Sequence, residues 1–338
     1  MLDLLILFNW YINMTKCPGF LVASLIVIIF AGGCPSENPK PVDFSMNENM
    51  RPESLDKKTD ASIEVGSKEN ESENTEPNEI SIMPVDDFYK KYAEILKNFV
   101  DSRGMVNYRE LRSKRLELVN LSHEFNDLKP DIYKSWSRES KIAFWINVYN
   151  LQKIKVVTEN YPIQSSRILR VLWGLNDLRH IEKEITQYKF LVMDEEFTFQ
   201  KLEQRFFRQE FDDPRVFLAL SDACLSSPPL RNEPYYGNKL GEQLDDQVRK
   251  FLSSPRGFLI DRDKDRVYLS AVFETGRFGK EFVQKYSIDR KFKDNPPVVR
   301  AVLNFVSKYI SDEDVSFLEV GNYSIHYMKY DWTINDGS

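Results

Sequence analysis

The chain has 338 residues, 42% of them hydrophobic and 13% aromatic, with a net charge of −6, which is ample apolar material for one large core. Twelve acidic against five basic residues between positions 35 and 82 account for that charge, so the rest of the chain is near neutral. A near-neutral body offers no basic face to a duplex, which argues against a nucleic-acid partner.

In chain order, the first feature is the apolar run 20–30, closed by Ala31, Gly32, Gly33 and Cys34. A spanning helix needs about 20 apolar residues, and this run has roughly half that number, so it reads as a signal h-region with Lys16 supplying the positive n-region. Small residues leading into a cysteine resemble a bacterial lipoprotein processing site. The expectation is a signal peptide over residues 1–33 and a lipidated Cys34 that holds the chain at a membrane, facing the periplasm or the cell surface. A start at Met14 gives the conventional layout and makes the first thirteen residues an extension. Ala31 stands where leucine is commoner and Pro35 is an unusual second mature residue, which keeps an uncleaved anchor or an ordinary secretory signal as alternatives.

Residues 34–83 are rich in Glu, Asn, Ser, Lys and Pro, with almost no aromatic residue after Phe44. Such a composition buries too little surface to offset its ordering entropy, so the segment reads as a disordered acidic tether. As a flexible coil it gives the folded part a reach on the order of 40 Å. Of the three cysteines, Cys17 leaves with the signal and Cys34 is lipidated, so Cys224 alone remains as a thiol. No disulfide, no CxxC pair and no zinc spacing follows from that set, and neither a metal nor a cofactor is expected.

Residues 84–338 form the globular part. Apolar spacing predicts a helix over 86–100 through Phe88, Tyr92, Ile95, Leu96 and Phe99, and a second through Leu111, Leu118, Leu121 and Phe125. Ser137 can cap a third helix in which residues 142–151 leave hardly a polar face. Asn147 and Asn150 share one side of it. They either clamp loop backbone, since an unpaired buried amide costs about 1–3 kcal/mol, or line a pocket. Beyond Pro162 the pattern predicts a strand over 188–193, a turn at 194–196, a helix over 198–207 and a buried strand over 216–220. A helix over 240–252, a hairpin of 258–260 with 267–269, a helix over 297–310 and a last hairpin of 317–320 with 324–327 complete the reading. The fold class expected is α+β, with helices packed on a small mixed or antiparallel sheet in a single globular domain.

The loop 221–230 emerges from a buried run and carries Cys224, which makes it the best candidate site, lined by Ser221, Ser226, Ser227, Arg231 and Tyr235 together with Asn147 and Asn150. Five segments in order, Val106-Asn107-Tyr108, Ala143-Phe144-Trp145-Ile146-Asn147-Val148-Tyr149-Asn150, Asp213-Pro214-Arg215-Val216, Ser227-Pro228-Pro229-Leu230-Arg231-Asn232 and Tyr330-Asp331-Trp332-Thr333-Ile334-Asn335, resemble the bacterial and plant family catalogued as domain of unknown function 547. The resemblance spans roughly residues 105–335 and implies a shared fold without lending an activity. Members commonly carry cysteines where this chain has Asp222 and Ser227, and histidines where it has Gln204 and Phe217.

The function expected is a binding or envelope-associated role. The alternative is a thiol-dependent hydrolase or transferase acting on an envelope peptide or amide, with Cys224 attacking, His326 as base and Asp222 or Asp331 orienting it. Tyr235 and Tyr236 can line a groove for a peptide or glycan ligand. The charged run 261–265 resembles the start of a calcium loop, but Arg266 and Val272 stand where glycine and glutamate are required, so it reads as a hairpin turn. Paired carboxylates leave no local spacing, and Glu203, Glu233 and Glu281 are candidates in that sense only.

Overall fold

The computed structural model describes residues 84–338, apart from 165, 275–276 and 289–290. The expected signal peptide, Cys34 and the tether lie outside the described residues.

The architecture is α+β: many helices with two small sheets. Helix α1 (Pro84–Phe99) and helix α2 (Arg115–Asp127) bury the apolar residues that their spacing singled out, among them Phe88, Tyr92, Leu96, Leu118, Leu121 and Phe125. Helix α3 (Arg138–Glu159) runs through the core, and all ten residues 142–151 are buried. Its start is fixed by Ser137, whose side chain accepts from the Ser140 N–H, the expected cap. Trp145 explains much of its hold: the indole stacks on Phe206 at 3.8 Å and its N–H donates to the Tyr133 hydroxyl at 2.8 Å. A short helix, α4 (Arg167–Trp173), follows.

Strands β1 (Phe190–Val192) and β2 (Glu195–Phe197) pair antiparallel, Val192 opposite Glu195. The two residues between them, Met193 and Asp194, have φ of 51° and 61°, as a tight two-residue hairpin turn requires. The turn therefore falls one residue earlier than expected, and Glu195 and Glu196 are strand. Helix α5 (Phe199–Leu202), capped by Thr198, widens into a π-helical stretch at Glu203–Glu210. Helices α6 (Leu240–Leu252), α7 (Gly279–Tyr286), α8 (Pro297–Val306) and α9 (Asp312–Val320) follow, and shorter helical turns such as Tyr108–Leu111, Pro130–Ser135 and Glu182–Thr186 lie between the longer elements. The second sheet has β3 (Phe258–Asp261) antiparallel to β4 (Arg266–Leu269), and β5 (Ser324–Tyr327) parallel to β4.

Two expected elements are corrected. The buried run 216–220 is no strand: a 3-10 helix covers Pro214–Leu218, started by Asp213, whose carboxylate accepts from the Arg215 N–H, and by a proline in its first turn. An unbroken apolar run reports burial on all sides, which a helix in the core satisfies as well as a covered strand. Residues 317–320 belong to α9, so the last hairpin does not form. Ser311 caps α9, three acidic residues fill its first turn, and Gly321 at φ 77° ends it.

Candidate functional site

The site is assembled around loop 221–230 by amide clamps. Asn150 donates to the Ala219 carbonyl at 2.9 Å and accepts from the Ser221 N–H at 2.9 Å, and Asn147 holds both backbone groups of Tyr235 in the same way, at 2.8 and 2.9 Å. Both amides are buried and spent on backbone, so the clamping account describes them and the ligand-holding account does not. The far side of the loop is laced to residues 331–335: Leu225 N–H donates to Thr333, Asp331 N–H donates to the Ser226 hydroxyl, Asn335 N–H donates to Ala223, and Cys224 lies opposite Ile334 in an antiparallel bridge. Asn335 in turn reaches Gly104 and Tyr108, so the first and last of the five sequence segments meet. Gly104, at φ 83°, lies where an added Cβ would come within 2.7 Å of Pro229, which ties the double proline to the same corner.

Beside this loop opens a cleft of about 280 Å³ lined by Glu203, Arg208, Asp222, Val272, Arg277, Tyr330 and Trp332. Arg277 organises it. Its guanidinium donates to Asp222 at 2.7 and 3.2 Å, to Glu203 at 2.8 Å and to the Tyr149 hydroxyl at 2.8 Å. Tyr149 donates onward to Asp222 at 2.7 Å, and the Lys153 ammonium stands 3.4 Å from the same carboxylate and 4.0 Å from the centre of the Phe199 ring. Burial on its own would raise the Asp222 carboxyl, but the charges of Arg277 and Lys153 outweigh it and hold that group well below the usual carboxylate range. Burial and the neighbouring Asp222 charge push the Tyr149 phenol up. Glu203 opens the π-helical stretch, whose wider turn is a frequent feature of functional sites. Aromatic residues also line the cleft: the Tyr330 and Trp332 rings are 4.4 Å apart, and Trp332 is 39% exposed.

Cys224 is buried, and its thiol donates to the Tyr330 hydroxyl at 3.4 Å. Burial, aided by the Asp222 charge, pushes the thiol up to about 11. His326, the expected base, lies on β5, where its Nε2 meets the Ser324 hydroxyl at 2.9 Å and its ring packs beside Tyr268. Of the other imidazoles, His180 contacts the Gly174 carbonyl and His123 is exposed on α2. Asp331 is held by Arg256 at 2.6 Å. The structure thus brings Cys224 and Asp222 to one place and puts His326 among other partners.

Of the expected lining groups, none is among the residues that line this cleft. Ser221 and Ser227 accept from loop N–H groups, and Tyr235 is buried under the Arg231 guanidinium, which itself pairs with Glu233 and Asp246. The sequence reading missed Tyr149, Lys153 and Arg277. Lys153 carried a signal, a cation one turn beyond Tyr149 within the apolar stretch of the helix. Arg277 had none, being brought in from 128 positions away. Among the described residues no cluster of three or more His, Cys, Asp or Glu side chains is placed to hold a metal ion, and no helix is long and apolar enough to cross a membrane.

Residues 133–252 match the model of the family described as protein of unknown function, DUF547. The matched stretch includes Tyr149, Lys153, Glu203, Asp222 and Cys224, and excludes Arg277, Tyr330 and Trp332. No curated protein and no solved structure matches the chain.

Proposed function

We propose that this chain is a lipoprotein anchored through Cys34 to a membrane, outside the cytoplasm, and that its folded part binds a polar envelope ligand, a peptide or glycan, in the Asp222–Arg277 cleft. One observation carries the reading. The cleft presents carboxylate and guanidinium groups already locked to one another by Arg277, and a part-exposed Trp332 lines the same cleft. Such a preorganised polar group set with an aromatic ring in the same cleft recognises hydroxyls and amides at low ordering cost. The Cys34 anchor is supported by the sequence pattern 31–34.

Binding is favoured over thiol chemistry by the state of Cys224. A nucleophilic cysteine needs its thiolate, formed by an adjacent imidazole or cation. Here the thiol is pushed up to about 11, and the groups that act on it are Asp222, Tyr330 and the backbone of Ser226 and Ser227, with no imidazole among them. The test is calorimetric titration of the full chain with a panel of envelope peptides and oligosaccharides. A ligand that binds wild type and Cys224→Ser equally, and whose affinity falls about tenfold or more with Trp332→Ala, a loss of stacking worth roughly 1–2 kcal/mol, supports the reading. Rapid alkylation of Cys224 by iodoacetamide near neutral pH, with turnover of an amide substrate lost in Cys224→Ser, would replace it with the hydrolase.

A further inference from the structure

Strand β3 leaves one edge of its sheet open. The strands lie in the order β3, β4, β5, so β3 pairs on one side only. Its hydrogen-bond phase is fixed by the Ser270 N–H, which donates to the Gly257 carbonyl at 2.9 Å. Bonded pairs alternate along an antiparallel ladder, which makes Leu259–Tyr268 and Asp261–Arg266 the bonded ones and turns the N–H and C=O of Phe258 and Ile260 away from β4. Among the described residues those four groups have no hydrogen-bond partner. The strand also lacks the usual guards of an open edge. Phe258, Leu259 and Ile260 include no charge and no proline, their register with β4 is unbroken, and Leu259 is 52% exposed.

A groove of about 360 Å³ lies beside the strand, walled by Arg249 and Leu252 near the end of α6 and by Tyr309, Ile310 and Asp314. Phe258, Leu259 and Ile260 all line it. Alternate strand side chains point to opposite faces, so three consecutive residues put the groove along the backbone edge and not over one face. Its charges are unbalanced. Arg262 is taken by Glu313 and Asp314, whereas Arg249 makes no ion pair among the described residues and lies 5.7 Å over the Tyr309 ring. The acids one turn before Arg249, Asp245 and Asp246, are engaged by Arg215 and Arg231. Open backbone groups, apolar walls and one cation without a carboxylate match an extended acidic peptide, whose main chain supplies affinity and whose side chains set the register. We propose that the β3 edge takes up an acidic, extended segment of a partner protein as an added strand. This surface shares no lining residue with the Asp222–Arg277 cleft and stands independently of what that cleft binds.

The experiment uses the full chain and a short, end-capped, fluorescein-labelled peptide of alternating valine and threonine with one central glutamate. The expected results are saturable binding by fluorescence anisotropy and slower amide hydrogen exchange at Phe258 and Ile260. Ile260→Pro removes an N–H that faces only the open edge, and should weaken binding about tenfold with the circular dichroism unchanged. Should that variant unfold, Leu259→Lys places a guard at an exposed position and carries the same expectation. Arg249→Glu should weaken the glutamate peptide about fivefold and turn the preference toward a lysine counterpart. Absence of binding at millimolar peptide, or binding with exchange at Phe258 and Ile260 unchanged, overturns the proposal. Equal binding of the glutamate and lysine peptides by wild type overturns the acidic partner. A dimer in solution that Leu259→Lys converts to a monomer, with the peptide unbound, assigns the edge to a second copy of the chain and overturns the proposal.

Discussion

Asp222 answers to three side chains at once, Arg277, Tyr149 and Lys153, and so links the stability of the fold to its cleft. Removing it in Asp222→Ala leaves Arg277 buried with only one of its two carboxylate partners, at an expected cost of about 3 kcal/mol, read from urea unfolding. The pH dependence has a definite sign. Because the folded carboxyl sits below its unfolded value, the stabilisation is complete above the ordinary aspartate pKa of about 4 and is lost as pH falls through the lowered folded value. Urea midpoints of wild type should therefore fall on acidification, and those of Asp222→Ala should fall less. Legibility at this scale followed chain proximity. The Asn147 and Asn150 clamps were readable because both lie on one apolar helix and each has a buried amide to satisfy. Arg277 was not, since nothing in its own neighbourhood distinguishes it from a surface arginine.

The helices with one apolar face, α1, α2 and α6, were legible because periodicity and burial agree there. Misreadings arose where burial was complete or caps were ignored. The run 216–220 is apolar on every side, so its period was silent, and the Asp213-Pro214 start was the usable cue. Ser311 followed by Asp312, Glu313 and Asp314 announces a helix start, and that cue outweighs the strand-like look of residues 317–320. An element can also be held by one residue far from it. Asn150→Leu leaves the Ala219 carbonyl and the Ser221 N–H without their side-chain partner, each at about 1–3 kcal/mol. Equilibrium unfolding should show that loss, and amide hydrogen exchange should quicken at Ser221 before it does in α3.

Over the whole molecule, distant segments close on one another. Val106 donates to Asn335 and accepts from Gly337, and Ile334 is buried against the Cys224 loop. Deleting residues 330–338 should abolish the cooperative thermal transition followed by circular dichroism, whereas deleting residues from an exposed terminus would leave it intact. The α+β class was legible from the mix of helical periods and hairpin signals. The cleft was not, because its walls come from the π-helical stretch, loop 221–230, Val272, Arg277, Tyr330 and Trp332, parts that no local pattern relates.

The lacing of loop 221–230 to residues 331–335 also sets an order of events. Synthesis delivers Glu203 and Asp222 well before Tyr330 and Trp332, so a nascent polypeptide holds these charged residues without the aromatic residues that complete the cleft. The cleft is accordingly incomplete until translation has passed position 335.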